Sequence, residues 1–166
     1  MPGRVRSEAA IAPPLLMIDP VAAMARRGAP WTFDAAALAL RLQALRDAGV
    51  GTSSHTVCWP AFEHVTGDPV EGAISVAPTV SIALVEGLYL LHRGEGWDLA
   101  NLFDECWFLD ASLPVAMERL ALRHMATPGV DRPRALARIA GNDRLNAELV
   151  LRSRTRADWL VPDQAT

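Results

Sequence analysis

The stretch Val80-Ser81-Ile82-Ala83-Leu84-Val85-Glu86-Gly87 constrains this chain more than any other. Six mostly apolar, β-leaning residues stop at a single acid and a glycine. Such a run suits a strand covered on both faces, which in a parallel α/β sheet carries its last side chain to the ligand edge. An acid placed there can face Mg²⁺ or orient a reacting hydroxyl, which makes Glu86 a candidate for metal binding and catalysis. The alternative is an exposed loop acid that caps the following turn. The usual companion of such an acid is a glycine-rich loop ending in Gly-Lys-Ser/Thr, whose backbone amides cradle phosphates. The 166 residues contain neither that loop nor a Gly-x-Gly-x-x-Gly, and none of the 16 basic residues is lysine.

The remaining pattern alternates helix and strand. Asp19-Pro20 opens a short helix over 21–27 that stops at Gly28. Asp34 caps a second helix with Leu38, Leu42 and Leu45 on its apolar face, ending at Gly49. Thr56 to Trp59 reads as a strand stopped by Pro60. Residues 61–78 show no period and read as a long irregular loop, a feature that compact domains often reserve for function. After the Val80 strand, Asp98 opens a short helix with Leu99, Leu102 and Phe103 inward. Cys106 to Leu109 is a third strand ending at Asp110. Ser112 and Pro114 start a helix to about Met125, a break covers 127–133, and a long helix spans roughly 134–152. Trp159 to Val161 is a last short strand. Strands apolar on both faces, alternating with helices, predict an α/β fold with a parallel sheet flanked by helices.

Length and composition predict one globular domain with a real core, behind a loose leader over 1–14. Half the residues are hydrophobic and the net charge is −3. No basic stripe is present, so nucleic acid is not an expected partner. No apolar run reaches membrane-spanning length, so no membrane partner is expected and the cytoplasm is the default location. Cys58 and Cys106 read as buried free thiols rather than a disulfide pair.

Four further groups could carry chemistry. Arg26-Arg27-Gly28-Ala29-Pro30-Trp31-Thr32-Phe33 places two arginines before a stiff turn with two aromatics. Arginine suits phosphate through its forked donors, although cations near a helix C-terminus also answer the macrodipole. Trp59 to His64 follows a strand end, where Phe62 and His64 could meet a ligand; a lone loop histidine is more often simply solvated. His55, His92 and His124 are scattered, which argues against a zinc site. Arg119 and Arg123 lie four apart before the break, so that helix and break could form a hinged lid. An ordinary basic face, with Arg119 near Glu118 and Asp110, is the equal alternative. Asn142, Asp143 and Asn146 share one side of the long helix, where packing is the simpler local reading.

Taken in order, these segments resemble the later part of a P-loop small-molecule kinase, in the group of uridine kinase, pantothenate kinase and phosphoribulokinase. The resemblance rests on Arg27-Gly28-Ala29-Pro30-Trp31-Thr32-Phe33-Asp34, Phe62-Glu63-His64 with Asp68-Pro69-Val70, and Val85-Glu86-Gly87-Leu88-Tyr89. It continues through Trp107-Phe108-Leu109-Asp110, Arg119-Leu120 with Arg123-His124, and Asn142-Asp143 with Asn146. It implies a nucleoside kinase-like P-loop fold over 15–166, lacking the family's N-terminal part, with a lid around 119–133. It implies phosphoryl transfer from ATP, with Mg²⁺, to a hydroxyl of a nucleoside, sugar or pantothenate-like acceptor. Carried over residue by residue, Glu86 and Arg123 would be catalytic, with Glu86 at the metal. Arg27, Trp31, Phe33, Phe62 and His64 would face the acceptor, and Arg119, Arg123, Asn142 and Asp143 the nucleotide. The family's phosphate loop and catalytic base have no counterpart in this sequence. The expectation is therefore a kinase-family chain without turnover of its own; the alternative is a pseudoenzyme that binds a ligand or a partner. An open sheet edge would also permit a homo-oligomer.

Overall fold

The computed structural model describes residues 19–48, 55–63 and 68–163. The leader expected over 1–14, the stop at Gly49 and the candidate His64 lie outside those residues. Helix α1 (Pro20–Ala25) starts at Asp19, whose carboxylate accepts the Val21 N–H at 3.0 Å. Helix α2 (Ala35–Ala48) starts at Asp34, which accepts the Ala37 N–H at 2.8 Å. Both acids therefore satisfy orphan amides as their positions predicted.

The segment 61–78 is not a loop. Strand β1 (Val57–Glu63) runs through Pro60 and pairs antiparallel with β2 (Asp68–Val76). Proline has no N–H to give the ladder, and the register shifts between Trp59 and Ala61. Opposite it, Gly72 takes φ +68°, so the extra residues bulge out of β2. Val70, Ile74 and Val76 do alternate across β2; Asp68-Pro69 and Gly72 interrupt the alternation enough to hide it. Cys58 lies exposed on this hairpin and Cys106 is half-buried, so the expectation of two buried thiols fails at Cys58.

Residues 80–85 are a second correction. They form only an isolated bridge at Leu84, and Ile82 and Leu84 are exposed. The core lies elsewhere. Leu38 and Leu42 of α2, Trp59 of β1, and Tyr89, Trp97 and Leu99 from the irregular stretch that follows pack into one buried cluster. Three successive residues with positive φ, Gly94, Glu95 and Gly96, turn the chain so that Trp97 enters this cluster. Asp98 opens no regular helix; a single 3-10 turn, Ala100–Leu102, follows.

Strand β3 (Trp107–Asp110) pairs in parallel with β4 (Trp159–Pro162), Trp107 opposite Trp159 and Leu109 opposite Val161. The expected parallel sheet is thus present as one pair, beside an antiparallel hairpin, among the described residues. Between its strands come α3 (Leu113–Met125), α4 (Arg132–Arg138), a π-helical turn Ile139–Asp143, and α5 (Arg144–Arg152). The break before α4 and the long helix after it were both legible; the π turn at Gly141-Asn142-Asp143 was not.

Asp110, at the end of β3, accepts two hydrogen bonds from the Arg154 guanidinium at 2.7 and 2.6 Å. The hydrogen bond from Arg154 holds the Asp110 carboxyl below its ordinary value; desolvation opposes this and the guanidinium charge adds to it. A carboxyl whose folded value is depressed stabilises the fold above its unfolded value, about 4, and the contribution is lost as pH falls through the folded value. Asp110→Asn is therefore expected to flatten the acid limb of the stability–pH curve below about pH 4, leaving its shape above pH 6 unchanged. Urea titrations at a series of pH values test this, and an unaltered acid limb would contradict it.

Candidate functional site

The candidate site is built on the turn between α1 and α2. Four consecutive carbonyls there are each held by a side chain. Asn142 Nδ2 donates to the Arg27 carbonyl at 2.8 Å, and the Tyr89 hydroxyl to the Gly28 carbonyl at 2.7 Å. Thr32 Oγ1 donates to the Ala29 carbonyl at 2.8 Å, and Trp97 Nε1 to the Pro30 carbonyl at 3.0 Å. The Gly28 N–H in turn donates to Thr32 Oγ1 at 3.1 Å. Gly28 takes φ +97°, a backbone region that glycine reaches without strain. Three remote segments thus fix the turn that presents Arg26 and Arg27.

Burial pushes the Tyr89 phenol well above its ordinary value; Arg26 opposes the shift, and Glu95 and Asp143 add to it. Tyr89 therefore stays a neutral donor to the Gly28 carbonyl across the physiological range. The same three charges mark what surrounds the turn: one cation and two acids.

Helix α3 reaches the site through His124. Its Nε2 lies 2.9 Å from Asp143 Oδ2, which ties α3 to the π turn. The π turn adds a residue to one turn of helix, and such insertions often occur at functional sites. Asn142, just before Asp143, holds the Arg27 carbonyl, and Asn146 is buried with no hydrogen-bond partner for its Oδ1 among the described residues. Three groups read separately in the sequence, at 26–33, 123–124 and 142–146, therefore converge.

The other candidates are placed as follows. Arg27 is exposed and Trp31 half-buried on the 3-10 turn Pro30–Thr32. Phe33 packs on the core, its ring centroid 5.9 Å from Tyr89 and 6.1 Å from Trp97. Phe62 lies in β1. Glu86 is exposed, two residues after the Leu84 bridge. Arg119 pairs with Asp163 at 2.8 Å, while Glu118 is bound by Arg132 and Asp110 by Arg154. Arg123 is exposed and makes no ion pair or hydrogen bond among the described residues. No group of three His, Cys, Asp or Glu side chains that could hold a metal occurs among the described residues.

Sequence reasoning missed Tyr89, Trp97 and Thr32 as the clamps on the turn. The available signal was their dual chemistry. A tyrosine or tryptophan in an apolar stretch seeks one polar partner when buried, and a turn carbonyl has a second lone pair to offer.

No protein-family model matches the chain. Individual proteins do. The ATP-dependent kinase-like protein notR' of Aspergillus versicolor is 37% identical over 149 residues, covering 88% of this chain and 86% of that protein. A crystal structure from Silicibacter sp., provisionally named a fructose transport system kinase, superposes with a TM-score of 0.81 at 29% identity, over 96% of this chain and 74% of the other. The structure of YFH7 from Saccharomyces cerevisiae, described as a P-loop-containing kinase with a circular permutation, superposes with a TM-score of 0.70 at 25% identity. That match covers 90% of this chain and 53% of YFH7. Of several further curated relatives the chain spans only 45% to 60% of the length. Among the described residues no helix is long and apolar enough to cross a membrane.

Proposed function

The chain belongs to the P-loop kinase family, and from that premise we propose that it forms the acceptor-binding side and the lid of an ATP-dependent small-molecule kinase. The observation that carries this reading is the clamped turn. Fixing four carbonyls in a row is far more than a surface connection needs, and it fixes the backbone that carries Arg26 and Arg27. A fixed backbone limits what must still be ordered when these two cations meet an anionic or polyhydroxyl group.

The acceptor is a nucleoside, a sugar or a pantothenate-like alcohol. The names of relatives, which include a uridine kinase and a fructose transport system kinase, support the first two classes. Trp31, half-buried beside the turn, offers an aromatic face for a flat or apolar part of the ligand.

The chain's own donors do not fit a nucleoside triphosphate with Mg²⁺. The sequence has no phosphate-cradling loop and no lysine, and Glu86 belongs to no group of three or more His, Cys, Asp or Glu side chains among the described residues. Arg123 can meet phosphate oxygens from the lid, but a single guanidinium aligns nothing. The 166 residues by themselves therefore bind an acceptor and do not transfer phosphate. The same donor set favours a second reading, a pseudoenzyme that holds its ligand without chemistry.

Thermal unfolding in the presence of nucleosides, sugars and pantothenate at millimolar concentrations tests the acceptor site. One class is expected to raise Tm, because a ligand at about 100 times its Kd stabilises by about 2.7 kcal/mol. Arg27→Ala is expected to abolish the rise. No shift with any of the three classes would contradict the reading.

A further inference from the structure

Three of the described arginines are half-buried: Arg26, Arg41 and Arg154. Two of them each grip a carboxylate through two hydrogen bonds. Arg41 holds Glu71 at 2.7 and 2.9 Å, and Arg154 holds Asp110 at 2.7 and 2.6 Å. The Arg26 guanidinium makes no hydrogen bond or ion pair among the described residues. A guanidinium drawn partly out of water loses hydration, and its five donors need acceptors. The protein supplies them at Arg41 and Arg154 and leaves Arg26 without.

The surroundings of Arg26 do not fill that gap. Glu95 and Asp143 act, like Arg26, on the Tyr89 phenol, yet neither forms an ion pair with Arg26. Asp143 is taken by His124 at 2.9 Å. The end of α1 asks little of the side chain: the helix has six residues, and its Ala22 and Met24 carbonyls accept the Arg26 and Arg27 N–H at 2.9 and 3.4 Å. The turn beyond adds no free backbone donor. The Gly28 N–H goes to Thr32 Oγ1, the Ala29 N–H goes to the Arg26 carbonyl, and Pro30 has none. What the clamped turn presents is therefore guanidinium chemistry on a fixed backbone. A guanidinium only donates, so it suits a group made of acceptors, and its fork matches a carboxylate or a phosphate. A neutral hydroxyl leaves the charge uncompensated.

We propose that Arg26 selects a charged acceptor, an alcohol that also carries a carboxylate or a phosphate monoester, by binding that anionic group. Arg27 faces another way, since consecutive helical residues do not share a side, and adds positive charge at the rim. This rests on the kinase reading above and narrows its acceptor class. A pantothenate-like acid, or a sugar or nucleoside already bearing phosphate, fits; the neutral forms do not. Arg26 is in this role a specificity-determining residue, and the hydroxyl that reacts lies at the other end of the ligand.

Matched pairs test this by thermal unfolding and calorimetric titration: uridine against uridine 5'-monophosphate, ribose against ribose 5-phosphate, and panthenol against pantothenate. The first two pairs read phosphate and the third reads carboxylate. In at least one pair the charged member is expected to bind about tenfold or more tightly, the worth of one charge-assisted hydrogen bond. Added salt is expected to weaken that member and not its neutral partner. Arg26→Gln is expected to erase the difference within the pair. Arg27→Gln, at an exposed position, is expected to reduce it, and keeps the test open where Arg26→Gln perturbs the fold. Arg152→Gln, exposed and also without a partner among the described residues, is expected to change nothing. Equal binding of charged and neutral members would overturn the proposal and leave the acceptor site standing. So would a preference that survives both Arg26→Gln and Arg27→Gln, or an equal effect from inorganic phosphate alone. Binding of no member of any pair would remove the acceptor reading along with it.

Discussion

Trp97→Ala is expected to cost about 3–5 kcal/mol, enough to leave a marginally stable domain largely unfolded at 37 °C. Trp97 is buried at the centre of the aromatic cluster, its ring centroid 5.3 Å from Tyr89 and 6.1 Å from Phe33. Truncation opens a cavity between α2 and the stretch that carries Tyr89 and Leu99. It also removes one of the two donors to the Pro30 carbonyl, which keeps the Phe33 N–H at 3.2 Å, so the loss of a hydrogen bond adds to the larger packing loss. Trp97→Phe separates the two effects. It keeps most of the ring and loses the N–H, and is expected to cost about 1–3 kcal/mol. Urea unfolding checks both: the midpoint should fall for each variant while the slope with denaturant stays constant. A Trp97→Ala loss below about 1 kcal/mol would mean that the cluster is not the core of the domain.

In a form of the protein that turns over ATP, Arg123→Ala is expected to lower kcat by about 100- to 1,000-fold, the range found when one donor to a transition-state charge is removed. Arg123 is the arginine of α3 available for this role, since it is exposed and without a partner among the described residues. Arg119, one turn earlier, is held by Asp163 at 2.8 Å. Its replacement is expected to act less on kcat and more on the docking of α3. The next residue after Arg123, His124, is anchored to Asp143, beside the Asn142 that holds the Arg27 turn. Steady-state kinetics on such an ATP-consuming form decide the matter. Equal losses for the two arginines, or a change confined to KM, would remove Arg123 from the chemistry.

The sequence showed the helices and their caps well, because a cap is a local event. Asp19 and Asp34 each satisfy an amide two or three residues away, so no distant information was needed. The two strands of β3 and β4 were visible as short apolar runs for the same reason. The hairpin β1–β2 was hidden because proline and glycine, ordinarily loop residues, here sit opposite each other in a bulge. The Val80 run was misread in the opposite direction: its composition suits a covered strand, but a strand also needs neighbours, and local composition says nothing about those. The same holds at the site. Arg26 to Phe33 and Asn142 to Asn146 stood out singly, yet their meeting depends on a hydrogen bond between residues 115 positions apart. Tyr89 and Trp97 looked like core residues, and they are; that each also fixes a carbonyl of the Arg27 turn is a matter of tertiary geometry alone.

The central claim is that these 166 residues hold the acceptor side and the lid of a kinase site but no cradle for the triphosphate. Calorimetric titration of MgATP into the chain alone tests it most directly. The account predicts no saturable heat up to millimolar nucleotide, and no ATP consumption with any acceptor that binds. Stoichiometric binding of MgATP at micromolar concentration, by the chain with nothing added, would contradict it.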